Sequence, residues 1–332
     1  MGIHRAWLRR VLGAIAAIAL GVGAAAVTYQ VSVEPGASAV KDVFEAQALV
    51  KPPGDFAALR ATVGDKRRVV VPVDASPAAH LDLYRPRVAA SNLPMILWVH
   101  GGGFISSSSA TVDDYAIMLA SSGYVVASLD YTLAPGARHP VPVRQASAAL
   151  RYLASHAEEL GGDRGRIALG GDSAGAQIAS ETAAAETNPA LARADGVPRT
   201  IGKSLRAVIL FCGLYDLKTV GDSGFPALRT YLWAYTGHRD WLSYPAVDSL
   251  STTEQATTAY PPTFISVGDK DPFRFQAREL AAALRKQSVP VTTLFWTGTG
   301  ASLGHEYQFD FDLPDAATAF DKTIAFMKGE FR

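Results

Sequence analysis

From residue 67 onward, short runs rich in β-branched residues alternate with stretches whose apolar residues recur every three or four positions. A strand period and a helix period taking turns along a chain describe βα units. Such units close on one another around a mostly parallel sheet, because each helix carries the chain from the end of one strand back to the start of the next. Eight runs read as strands: 68–73, 81–84, 94–99, 124–129, 166–169, 206–211, 263–267 and 291–296. Between them, Val143, Ala146, Leu150, Leu153, Ala157 and Leu160 mark an amphipathic helix after Pro142, and Phe273, Ala277, Leu280 and Leu284 mark another behind Pro272. Residues 316–327 read as a C-terminal helix. The expected fold class is α/β, with a mostly parallel eight-stranded sheet flanked by helices. At 332 residues, 48% apolar, the chain has enough material for one large core of this kind.

Two stretches break the alternation. Residues 40–65 are mixed helical sequence around Pro52-Pro53-Gly54, and residues 213–262 are rich in aromatics, including Tyr215, Phe225, Tyr231, Trp233, Tyr235, Trp241 and Tyr244. Either reads as part of a small cap over a site, with aromatic walls for an apolar ligand, or as a packed surface excursion.

The first 38 residues read as a separate segment. His4, Arg5, Arg9 and Arg10 precede an apolar run over residues 11–27, with polar and proline-bearing sequence behind it. A basic flank before an apolar stretch holds the N-terminus in the cytoplasm and sends the downstream chain across the membrane. The run is read as an uncleaved anchor, with secretion after cleavage at the small residues Ala24 and Ala26 as the alternative. Either way the body, residues 39–332, is expected to be extracytoplasmic, in contact with the membrane if the anchor is retained. Lysine plus arginine and aspartate plus glutamate both total 31, so no net charge draws the chain to nucleic acid. The single cysteine, Cys212, sits in an apolar run and reads as a buried thiol.

The chemistry is carried by two glycine-bearing turns. Residues 167–170 run as a strand into Gly171-Asp172-Ser173-Ala174-Gly175, and the small residues beyond read as a helix. Strand, sharp turn and helix are the context of the G-x-S-x-G nucleophile elbow, in which the serine hydroxyl stands exposed on a strained turn. On its own the pentapeptide also fits an ordinary glycine-rich turn. Upstream, residues 95–99 run as a strand into His100-Gly101-Gly102-Gly103-Phe104, the H-G-G-G type of oxyanion loop. Backbone N–H groups of Gly102 and Gly103, with that of Ala174, are the expected donors to a developing oxyanion. His100 reads as structural.

These residues resemble the hormone-sensitive-lipase-like family of α/β-hydrolase carboxylesterases. The resemblance rests on His100–Phe104, on Asp130-Tyr131-Thr132-Leu133-Ala134-Pro135, on the Gly171–Gly175 elbow and on Asp271-Pro272-Phe273-Arg274, and it covers roughly residues 90 to 310. Thr132 stands where the family usually has arginine, and the helix behind Pro272 lacks the family's usual acidic residue near Phe275 and Gln276. In this fold the triad runs serine, acid, histidine along the chain. Asp269 and Asp271 both come after the strand 263–267, and Asp271 also suits a helix cap before Pro272. The resemblance implies Asp271. Of seven histidines only His305 lies beyond the acid, so it is the expected base.

The resulting expectation is a serine carboxylesterase acting on short-to-medium acyl esters of small molecules through an acyl-enzyme on Ser173. A polysaccharide deacetylase, amidase or peptidase built on the same triad is the alternative within enzymes. A non-catalytic binding module has no need of serine, histidine, acid and oxyanion glycines together. No metal-ligand cluster or phosphate-cradling loop is seen in the sequence, so no cofactor is implied.

Overall fold

The computed structural model describes residues 32–46, 48–88 and 91–332. The apolar run 11–27 lies outside the described residues. Eight strands form one sheet: β1 (Arg67–Val71), β2 (Ala79–Tyr84), β3 (Leu93–Val99), β4 (Val125–Asp130), β5 (Gly162–Asp172), β6 (Leu205–Phe211), β7 (Thr263–Ser266) and β8 (Val291–Leu294). Their order is β1-β2-β4-β3-β5-β6-β7-β8. β2 runs antiparallel to β1 and β4, and every other pairing is parallel.

Each expected strand is present. β5 starts earlier than its apolar run because Gly162 pairs with Leu93 across a register irregularity, an extension that glycine and aspartate would not advertise. Met95 to Val99 on β3 and Ala207 to Phe211 on β6 are buried, as strands covered on both faces require. β1, at the antiparallel edge, is largely exposed, and there Arg68 lies cross-strand from Asp82 and bonds it at 3.1 Å.

The helix Ser173–Thr187 is buried through residue 186, which explains its run of alanine, glycine and serine: it packs against β5, β6 and the helix Val141–Ser155 with no room for long side chains. Most of its polar groups are paired. His139 Nε2 donates to Glu181 Oε1 at 2.6 Å while its Nδ1 lies 2.9 Å from the Tyr244 hydroxyl, and Gln177 donates to Glu181 Oε2 at 2.7 Å. The helix Arg274–Lys286 covers β7 and β8, and the helix Pro314–Glu330 covers β6 and β7.

The irregular stretches divide. The helix Glu34–Glu45 rests on the helix Leu228–Thr236, which buries Leu228, Tyr231, Leu232 and Tyr235. Tyr235 stacks on Phe104 of the glycine loop with ring centroids 3.9 Å apart. Chain from both irregular stretches therefore lies over the C-terminal ends of β3 and β5, where ligands bind in open α/β sheets. The helix Phe56–Ala61, within the first stretch, has no buried residue and packs beside the helix Asp113–Ser121. Among the described residues, no helix is long and apolar enough to cross a membrane.

Candidate active site

β5 ends at Asp172 and the next helix begins at Ser173 without a loop. The change of direction is taken up by Ser173, whose φ of +50° lies in the left-handed region that side-chain-bearing residues seldom adopt. The turn needs Gly175: a Cβ there would collide with the carbonyl oxygens of Val99 and His100, so only glycine lets the new helix pass against the end of β3. The serine and the glycine loop are brought together by this close approach.

Ser173 Oγ lies 3.0 Å from His305 Nε2, and His305 Nδ1 lies 2.9 Å from Asp271 Oδ2. A carboxylate only accepts, so in the neutral ring Nδ1 carries the proton and Nε2 presents its lone pair to the serine hydroxyl. The second oxygen of Asp271 accepts from the Phe273 N–H at 2.7 Å, so this aspartate both opens the turn before the helix Arg274–Lys286 and partners the histidine. Asp269 is turned elsewhere. It accepts from the N–H groups of Leu303 at 2.6 Å and Ser302 at 3.2 Å and ties down the loop that delivers His305. Burial opposes charging the His305 ring, but the negative fields of Asp271 and Glu306 outweigh it and push its pKa up to about 9.

The glycine loop wraps the other side. Gly102 has a φ of +101°, and its carbonyl accepts from the N–H groups of Ile105 and Ser106 and from the Ser106 hydroxyl, which locks the turn. The N–H groups of Gly102 and Gly103 have no protein acceptor among the described residues, and both glycines line the same cavity as Ser173 and Ala174. His100 is fully buried, stacked on Tyr131 at 4.4 Å, and donates from Nδ1 to the Gly101 carbonyl. Burial lowers its pKa to about 4, so it stays neutral and supports the loop. The cavity has a volume of about 510 Å³, and its apolar wall includes Leu214, Phe225, Leu228, Tyr231, Leu232 and Phe273.

Sequence reasoning overlooked several residues here. Asp172, between glycine and serine, is buried and accepts from Trp98 Nε1 and from the Gly101 N–H, each at 2.8 Å, so it fastens the elbow to the glycine loop. Gln276 occupies the region where relatives of this type usually carry an acidic residue. Its Oε1 accepts from the N–H groups of Tyr215 and Asp216, both at 2.7 Å, a task a neutral amide performs as well as a carboxylate. Thr132 is bound on both its N–H and hydroxyl by Gln145. Glu306 points into the cavity beside His305, and its adjacency to that histidine was the sole signal in the sequence.

The profile of the α/β-hydrolase fold family matches residues 96–303. The chain is 30% identical over 263 residues to the carboxylesterase NlhH of Mycobacterium tuberculosis, covering 74% of this chain and 76% of that protein. It is 32% identical over 213 residues to the esterase LipI of the same organism, covering 60% and 62%. Among solved structures, a bacterial heroin esterase superposes with a TM-score of 0.71 at 25% identity, over 88% of this chain and 91% of that one. With a serine, histidine and aspartate in hydrogen-bonded line beneath a glycine loop, and with these relatives, the chain belongs to the α/β-hydrolase family as a serine carboxylic ester hydrolase.

Proposed function

We propose that Ser173 is the nucleophile, His305 the base and Asp271 the acid of an esterase acting on short-to-medium acyl esters. The observation that carries this reading is the unbroken line Ser173 Oγ, His305 Nε2, His305 Nδ1, Asp271 Oδ2, at 3.0 and 2.9 Å. Nε2 takes the hydroxyl proton as Oγ attacks the ester carbonyl, and Asp271 stabilises the imidazolium. The carbonyl oxygen becomes an oxyanion facing the N–H groups of Gly102, Gly103 and Ala174, each such donor being worth about 2.7–4 kcal/mol in the transition state. The imidazolium then protonates the leaving alcohol. In the second half, Nε2 takes a proton from water, whose oxygen attacks the acyl-enzyme, and Ser173 recovers its hydrogen as the acid departs.

The apolar wall and the cavity of about 510 Å³ suit a ligand of modest size, which supports an acyl chain of short to medium length. Hydrolysis of p-nitrophenyl esters from acetate to hexadecanoate tests this. The rate should peak at or below about ten acyl carbons and vanish in Ser173→Ala. A peak at hexadecanoate would overturn the chain-length reading, and an active Ser173→Ala would overturn the nucleophile.

The same reading sets the enzyme outside the cytoplasm, held by residues 11–27. It is supported by the basic residues ahead of that run and the polar sequence behind it. Accessibility of the body to protease in intact cells, with recovery in the membrane fraction, is the expected result. Recovery in the cytosol would refute it.

A further inference from the structure

Directly after His305, the chain turns through Glu306 at a φ of +59°, and the turn brings the glutamate's carboxylate back toward the catalytic ring. Glu306 Oε1 lies 3.8 Å from His305 Nε2, the same nitrogen that meets Ser173, and the side chain is 17% exposed into the cavity. Its other neighbour is Asp172, which is fully buried and already accepts two N–H bonds. Burial raises both carboxyls, Asp172 well above the ordinary range; the Glu306 charge lifts Asp172 further, whereas Glu306 is held down by the His305 ring and by a hydrogen bond from Asp172. Two carboxyls in contact keep one proton between them and one negative charge. The proton resides on Asp172, away from water, and the charge on Glu306, which faces the ligand.

Little in the cavity neutralises that charge. Among the described residues that line it, the basic side chains are Lys51 and His305. Lys51 Nζ is bonded to Asp310 at 2.7 Å. His305 gives its Nδ1 proton to Asp271 and must be uncharged to act as base. In the reactive form, with His305 neutral, the cavity therefore carries a carboxylate beside the reacting atoms without a counter-charge.

The position also fixes which part of a substrate passes it. Nε2 must come within about 3 Å of the leaving alcohol oxygen to protonate it. An oxygen in that place has the Glu306 carboxylate next to the first atoms of the alcohol. The rings of Phe225 and Phe273, stacked on each other, lie 4.9 and 5.5 Å from the His305 ring and wall the same region. Resting on the ester-hydrolase assignment above, we propose that the enzyme prefers esters whose alcohol carries a cationic nitrogen about three bonds from the ester oxygen, with Glu306 as the counter-charge.

Butyrylcholine and 3,3-dimethylbutyl butyrate have the same shape and acyl group and differ in a quaternary nitrogen against a carbon. At low ionic strength the wild-type kcat/KM should favour the cationic ester by about tenfold or more, since opposite charges about 4 Å apart retain substantial attraction in a partly buried site. In Glu306→Gln the ratio should fall toward one. Tetramethylammonium should inhibit hydrolysis of the uncharged ester competitively in the wild type, an arm that needs no variant. A wild-type ratio near one, a ratio preserved in Glu306→Gln, or absence of tetramethylammonium inhibition would each overturn the proposal. Failure of the esterase assignment is distinguishable, because neither ester, nor any p-nitrophenyl ester, would then be turned over in a Ser173-dependent way.

Discussion

Replacing Asp271 by asparagine changes one atom in the line of the triad, and the structure dictates how the substituted amide would sit. The Phe273 N–H, 2.7 Å from Oδ1, requires an acceptor, so the amide oxygen takes that side and the NH2 group faces His305 Nδ1. Two donors cannot face each other. The ring must then present Nδ1 as acceptor and carry its proton on Nε2, which points at Ser173 Oγ with no lone pair left to receive a proton. Loss of the correct tautomer in such a triad costs about 10⁴ in kcat, roughly 5.4 kcal/mol of activation free energy at about 1.36 kcal/mol per decade. Asp269→Asn is the matched control. That carboxylate holds the N–H groups of Leu303 and Ser302, and an amide oxygen retains one of these bonds, so the expected loss in kcat is less than about tenfold. The assay is kcat and KM for p-nitrophenyl butyrate between pH 6 and 10. An Asp271→Asn enzyme within tenfold of wild type, or an Asp269→Asn enzyme down a thousandfold, would refute this reasoning.

Three further outcomes are expected. Because the reaction needs neutral His305 and its pKa is pushed up to about 9, kcat/KM should climb about tenfold per pH unit below that value; a plateau already reached at pH 7 would count against it. The same shift means that the folded state binds this proton more tightly than the unfolded chain, so the stability it contributes is full below pH 6.5 and is lost as pH rises through about 9. Glu181→Ala leaves His139 buried without its 2.6 Å partner, and equilibrium urea unfolding should register a loss of about 3 kcal/mol; less than 1 kcal/mol would show that Asp195, 4.0 Å away, suffices. Gly175→Ala drives a methyl group into the Val99 and His100 carbonyls, so the glycine loop must shift against Ser173, lowering kcat/KM about a hundredfold in the soluble protein; wild-type kinetics would contradict the stated role of the close approach.

Much of the fold was legible because its causes are local. A strand buried on both faces, such as β3, must be a continuous apolar run, and a nucleophile elbow must carry glycines where strand, turn and helix crowd together. Chain order alone left His305 as the one histidine beyond the candidate acids. The choice between Asp269 and Asp271 was not local. Both come after the same strand, two residues apart, and only the packed loop 298–305 turns one toward the histidine ring and the other toward backbone N–H groups. The irregular stretches were equally mute, since aromatic residues serve a cap or a surface excursion alike, until the helices Glu34–Glu45 and Leu228–Thr236 were found packed together. Glu306 is the clearest case. Its sequence says that an acid comes directly after a histidine; that it meets a protonated, buried Asp172 and directs its charge into the cavity depends on a left-handed turn and on a neighbour 134 positions away, because an electrostatic environment is set by distance in space and by exclusion of water.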